Sequence, residues 1–258
     1  MVSPVHPRRA SLSSEDAATF ASIVSAAKLV IFDFDGVIAD SEVISLSTLQ
    51  TALHQFGVKL SLEETRKTFL GTSLKTITSH VAEHGTGNSE SFPDIWESEL
   101  FARFADELQP VPHVFDLISR LEQNQMPFCI ASSSTFKRLN AALKAMDVAD
   151  RFHHVFSAEQ VSRGKPAPDL FEFAASKMQI DPEDCLVIED SPHGIRAARS
   201  ARMRAVGFTG GCHLDTLQNE HGDVLCNAGA EMVLRSFGDF AKLDMIGWRA
   251  VSNTAAGS

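Results

Sequence analysis

The chain has 258 residues, 44% of them hydrophobic and 22% charged, which is enough for one large domain or for a core carrying a smaller inserted one. Its formal net charge of -10, from 23 Lys+Arg against 33 Asp+Glu, argues against nucleic acid or a membrane surface as a partner. An anionic small molecule is not excluded, because a metal and a few local cations reverse the field inside a cleft.

The opening stretch, MVSPVHPRRASLSSEDAATF, carries a basic pair but no apolar segment of the kind a secretory signal needs. Residues 1–27 therefore read as a flexible lead or a short extra helix. No run of about 18 apolar residues follows, so no membrane span is expected and a cytoplasmic location is. The first strand pattern is LVIF at 29–32, running straight into Asp33, Phe34, Asp35 and Gly36. Residues 43–110 then show no strand signal. They read as amphipathic helices, SEVISLSTLQTALHQFG, SLEETRKTFLG, SLKTITSHVAEHG and FPDIWESELFARFADELQ, and thus as a helical domain inserted after the first strand. Trp96, Phe101 and Phe104 are expected in its core, with His80 and His84 on a solvated helix face.

Pro110-Val111-Pro112 stiffens the return to the core domain, which takes residues 28–42 and 111–246. There, apolar strand runs at 127–131, 185–188 and 203–208, with shorter ones at 155–156 and 232–234, alternate with helical patterns at 113–124, 136–146, 169–178 and 192–201. That alternation predicts an α/β fold with a parallel sheet and right-handed crossovers. Cys129 and Cys185 lie inside apolar runs and read as buried small hydrophobes. Cys212, His213 and Cys226 match no zinc spacing. Residues 247–258 read as a tail.

Why does a buried strand end in two carboxylates? A strand has period two, so Asp33 and Asp35 are expected on one face, about 6 to 7 Å apart, at the carboxyl edge where open α/β sheets bind ligands. Clustered carboxylates repel, and a hard divalent cation such as Mg²⁺ removes that cost. A second acidic pair, Glu189 and Asp190, ends a later strand, with Ser191-Pro192 starting a helix. Ile130-Ala131-Ser132-Ser133-Ser134 leaves another strand in hydroxyls and backbone N–H groups, and Gly164-Lys165-Pro166 places a lysine in a rigid loop. Carboxylates with a metal, a hydroxyl nest and a lysine suit phosphoryl transfer.

DFDGVIADSE, ASSS, GKPAPD and VIEDSPHGI, in this order, resemble the haloacid dehalogenase (HAD) superfamily, in the branch whose helical cap is inserted after the first strand. The resemblance covers about residues 29–245. It implies a Rossmann-like parallel-sheet core with an inserted α-helical cap, and a small phosphorylated metabolite as substrate of a monomer or homodimer. It further implies Asp33 as the nucleophile forming an aspartyl-phosphate, Asp35 as general acid and then base, and Ser132, Ser133 and Lys165 as phosphate ligands. Asp33, the backbone carbonyl of Asp35, Glu189 and Asp190 would hold Mg²⁺. In related caps the loop at 71–75 faces the site, so Ser73 and Lys75 are expected to read the substrate's non-reacting end.

Dehalogenases of the superfamily lack the second aspartate and the metal, and phosphonatases replace that aspartate with a small residue. Both departures make these chemistries less fitting here. β-Phosphoglucomutase is the runner-up, but Ser45 and Leu74 stand where such mutases carry a cap histidine and a cap arginine. Net hydrolysis of a sugar, sugar-acid or polyol phosphate is the expectation, as in 6-phosphogluconate phosphatase. A catalytically silent binding protein on this fold would not need all four motifs.

Overall fold

The computed structural model describes residues 14–69, 72 and 74–238. The expected six strands form one parallel sheet: β1 (Leu29–Phe32), β2 (Phe128–Ser132), β3 (Val155–Ser157), β4 (Cys185–Glu189), β5 (Arg204–Phe208) and β6 (Met232–Leu234). Their order is β3-β2-β1-β4-β5-β6. This is the doubly wound order that reverses direction beside the first strand, and the crevice at that reversal is where such sheets bind ligands. The register pairs Phe32 with both Ile130 and Ile188, so the ends of β2, β1 and β4 stand side by side.

Buried parallel strands need apolar residues on both faces, which is why these runs are continuous. On one face, Leu29 and Ile31 of β1, Cys129 of β2 and Val187 of β4 join a single core with three helices. These are α8 (Asp169–Met178), α9 (Pro192–Ser200) and α10 (Gln218–Ala228), which contribute Phe171, Ile195 and Leu225 respectively. Burial pushes the Cys185 thiol up to about 12, so it stays protonated and packs as a small apolar group. Helix α6 (Val114–Gln123) buries Val114, Leu117, Ile118 and Leu121, the i, i+3, i+4, i+7 stripe of an amphipathic helix.

Two compact units divide the chain. The first holds residues 1–38, 110–136 and 150–258 and the second residues 39–109 and 137–149. The second unit differs from the expected 43–110 domain in taking helix α7 (Phe136–Ala145), whose pattern alone gives no hint of it. Long basic side chains make the attachment. Arg138 donates to Ser45 Oγ at 2.9 Å and lies over the Phe104 ring at 5.8 Å, and Lys137 pairs with Glu97 at 2.6 Å.

The rest of that unit is α2 (Glu42–Gln55), α3 (Leu62–Phe69), α4 (Leu74–His84) and α5 (Phe92–Glu107). Leu49, Leu53, Phe92, Trp96, Leu100 and Phe104 are buried in it, whereas Phe101 is half-buried. His80 and His84 stack with ring centroids 4.3 Å apart.

Of the two readings of residues 1–27, the helix holds for part of the segment. Residues 14–25 form helix α1, with Phe20, Ile23 and Val24 buried and Ala27 buried just beyond its end. Those four follow the helical spacing i, i+3, i+4, i+7, and burying such a stripe outweighs the entropy of ordering the segment. Residues 1–13 and 247–258 lie outside the described residues. Among the described residues, no helix is long and apolar enough to cross a membrane.

Candidate active site

The site is built where β1, β2 and β4 end. The Asp33 N–H donates to the Ile188 carbonyl at 2.9 Å, which continues the β1–β4 pairing one residue beyond the strand. The chain then turns: Phe34 is buried, Ile38 N–H donates back to the Phe34 carbonyl at 2.9 Å, and Gly36 sits at φ +79°. Glycine is required at this position twice over. The left-handed backbone disfavours a side chain, and a Cβ would overlap Oδ2 of Asp190.

Asp33, Glu189 and Asp190 are all buried, and their carboxylate oxygens lie within 4.8 Å of one another. Lys165 reaches in between two of them, with Nζ 2.7 Å from Asp33 Oδ1 and 2.6 Å from Glu189 Oε1. Its side chain is 4% exposed and its ammonium lies 4.8 Å from the Phe171 ring centroid. The other oxygen of Glu189 accepts the Ser191 N–H at 2.7 Å, at the start of α9. Ser191 is also the N-cap, its hydroxyl accepting the Gly194 N–H at 3.0 Å. Gly194 leaves the space that the Glu189 carboxylate occupies, since a Cβ there would overlap Oε1.

Burial pushes the Asp33 carboxyl well above its ordinary range, and repulsion from Glu189 and Asp190 adds to this while Lys165 opposes it. For Lys165, burial is the largest influence and lowers the pKa. Asp33 and Glu189 together outweigh it, so the ammonium is held above its ordinary value. Three buried carboxyl groups face a single ammonium, an acid-rich site that a bound cation would balance. An all-oxygen donor set of this kind fits a hard cation such as Mg²⁺.

Asp35 is half-buried. The chain bends at Phe34 instead of staying extended. The Asp35 carboxylate accepts the Ser134 hydroxyl at 2.6 Å. Ser134 is itself fixed at the end of β2, its N–H donating to Ser132 Oγ at 3.0 Å and its carbonyl accepting the Ser157 hydroxyl at 2.7 Å. Ser132 is buried, Ser133 is exposed, and His193 is exposed. Lys75 is exposed in the first turn of α4, and Ser73 lies outside the described residues.

Three residues at the site carry no readable signal in the sequence. Ser134 is the third serine of a run whose first member is the expected phosphate ligand. His213 Nε2 is 3.3 Å from Asp190 Oδ2, and His221 Nε2 donates to the Asp190 carbonyl at 2.6 Å. Both histidines follow β5, and only the folded sheet brings them beside β4.

Comparison with known proteins agrees with this arrangement. Residues 30–208 match the family described as haloacid dehalogenase-like hydrolase. The 6-phosphogluconate phosphatase of Escherichia coli K12 is 28% identical over 193 residues, 74% of this chain and 86% of that protein. A probable pseudouridine-5'-phosphatase of Drosophila melanogaster is 31% identical over 191 residues, covering 68% of this chain and 79% of the relative. A crystal structure of a HAD family hydrolase from Deinococcus radiodurans R1, with bound phosphate and sodium, superposes with a TM-score of 0.67 at 29% identity, covering 83% of this chain and 93% of that one. The match over most of the parallel-sheet unit, with the acidic cluster, the lysine and the serine run at its strand ends, makes this chain a member of the haloacid dehalogenase-like hydrolase family.

Proposed function

We propose that the protein is a Mg²⁺-dependent phosphatase that hydrolyses a small phosphorylated metabolite, a sugar, sugar-acid or polyol phosphate, through an aspartyl-phosphate on Asp33. The observation that carries this reading is the buried cluster of Asp33, Glu189 and Asp190 closed by Lys165. The phosphatase names of the relatives supply the substrate class. On this reading the enzyme is cytoplasmic, a monomer or homodimer, and acts on a diffusible metabolite.

Asp33, Glu189, Asp190 and the backbone carbonyl of Asp35 would hold the metal, which when bound offsets the negative charge of the carboxylates and of the phosphoryl oxygens. Lys165 and Ser132 orient the phosphoryl group, with backbone N–H at Ser133 assisting. A carboxylate oxygen of Asp33 attacks phosphorus while the bond to the leaving oxygen breaks, and Asp35 gives that oxygen its proton. Water then attacks the aspartyl-phosphate, Asp35 takes back a proton, and inorganic phosphate leaves. Ser73 and Lys75 are the proposed determinants of substrate choice.

The test is release of inorganic phosphate from 6-phosphogluconate, hexose and hexitol phosphates, with Mg²⁺ and with EDTA, by the native chain and by Asp33→Asn. Metal-dependent release that Asp33→Asn abolishes is expected. Conversion of a hexose 1-phosphate to its 6-phosphate with little free phosphate would make the protein a mutase instead. Full activity without any divalent metal would remove the site as drawn.

A further inference from the structure

Ser134 lies outside the set of groups that touch the phosphoryl group in the mechanism above, yet its hydroxyl is hydrogen-bonded to Asp35. Its hydroxyl donates to Asp35 Oδ2 at 2.6 Å across a sequence separation of 99 residues. A serine hydroxyl turns freely about its own bond, so it defines a neighbour's position only if its backbone is fixed. Here it is fixed at both ends. The N–H donates to Ser132 Oγ at 3.0 Å, and the carbonyl accepts Ser157 Oγ at 2.7 Å. Ser157 in turn sits opposite Ser132 in the β2–β3 ladder and is fully buried.

We infer that Ser134 is a positioning residue for Asp35, holding the carboxyl group at the end of β2 so that its proton meets the leaving oxygen. The inference rests on the reading of Asp35 as general acid and base. It goes beyond it by assigning the group that aims Asp35, and by tying that aim to the strand end that also carries Ser132. A short turn such as 33–38 leaves the Asp35 side chain several rotamers, and one strong hydrogen bond to a carboxylate selects among them. In the protonated form Asp35 or Ser134 donates, because a hydroxyl both donates and accepts.

The measurement is leaving-group dependence. kcat/KM reports steps up to formation of the aspartyl-phosphate, in which an alkyl oxygen needs a proton and a nitrophenolate does not. The substrates are 4-nitrophenyl phosphate and the alkyl phosphate of the panel above that is turned over fastest. Ser134→Val and Ser134→Thr have nearly the same shape and differ in the hydroxyl. Ser134→Val is expected to lower the alkyl-to-aryl ratio of kcat/KM by about 10-fold, the size of one hydrogen bond to a charged group, and Ser134→Thr to keep it. In an Asp35→Asn background, adding Ser134→Val is expected to change that ratio less than about twofold, because nothing remains to be aimed. Equal losses in the Val and Thr variants would mean shape and not the hydroxyl matters, and would overturn the inference. A full additional loss in the Asp35→Asn background would mean Ser134 touches the substrate directly, with the same result. If Asp35→Asn alone loses equally on both substrates, the general-acid reading itself fails and the inference fails with it. If Asp35→Asn is selective and Ser134→Val is not, only the inference fails.

Discussion

At the scale of single residues, the site depends on two vacancies as much as on its charges. Gly194 is the sharper case, because the Glu189 carboxylate occupies the space a side chain would take. Gly194→Ala is expected to drive Glu189 off the Ser191 N–H and off Lys165, lowering kcat/KM by about 100-fold while the circular dichroism spectrum stays native. Steady-state kinetics beside a thermal melt check this, and an active variant would show that Glu189 is dispensable. His213 makes a complementary prediction through its 3.3 Å contact to Asp190. Groups that hydrogen-bond a metal's ligands steady the ligand, and their loss weakens binding about 10- to 100-fold. Calorimetric titration of His213→Ala with Mg²⁺ reads this directly, and unchanged affinity would confine His213 to packing.

At the scale of elements, helix α1 holds to the first unit through an apolar stripe and a few polar ties. Phe20 is fully buried, the Ile23 carbonyl accepts Arg204 at 3.4 Å, and Arg204 is itself paired with Glu231 at 2.7 Å. The exposed ion pair adds little, so the aromatic ring is the main attachment. Phe20→Ala is expected to cost about 3 to 5 kcal/mol of stability, measured by urea unfolding, through lost burial and the cavity it leaves. A change below about 0.5 kcal/mol, ordinary for a surface substitution, would mean the helix is not part of the folded unit. Helix α7 follows the opposite logic. Its Lys137 and Arg138 side chains run to Ser45, Glu97 and Phe104, all in the helical unit, although its sequence follows closely on β2.

For the whole molecule, the proposed metal at the acidic strand ends would link folding to metal. A cation that binds only the native state stabilises it by mass action, by about 2.7 kcal/mol at 100 times its Kd. Millimolar Mg²⁺ is therefore expected to raise the melting temperature of the EDTA-treated protein, and Asp190→Asn to remove most of that rise. Calorimetry on both proteins decides it. A melting point indifferent to Mg²⁺ would leave the buried carboxylates without the counter-charge argued for them.

The sheet and most of its helices were legible in the sequence because buried parallel strands must be apolar on both faces and because each ends in turn or acidic residues. Asp33, Glu189, Asp190 and Lys165 were legible for a related reason: carboxylates ending apolar runs make sense only at a ligand-binding edge. What the sequence left open depends on distance in the chain. Helix α1 has a helical stripe but no flanking signal of what it packs against, so the pattern fits a free segment equally well. Helix α7 joins the helical unit through long side chains, Lys137 and Arg138, whose partners no periodicity reveals. Ser134, His213 and His221 are polar residues of kinds common in loops, and they stand beside Asp35 and Asp190 only because the sheet order sets β2, β1, β4 and β5 side by side. Local pattern determined which residues could do chemistry. Tertiary structure decided which hydroxyl and which imidazoles stand beside them, since that choice is made by strands meeting across 99 residues and not by neighbours in the chain.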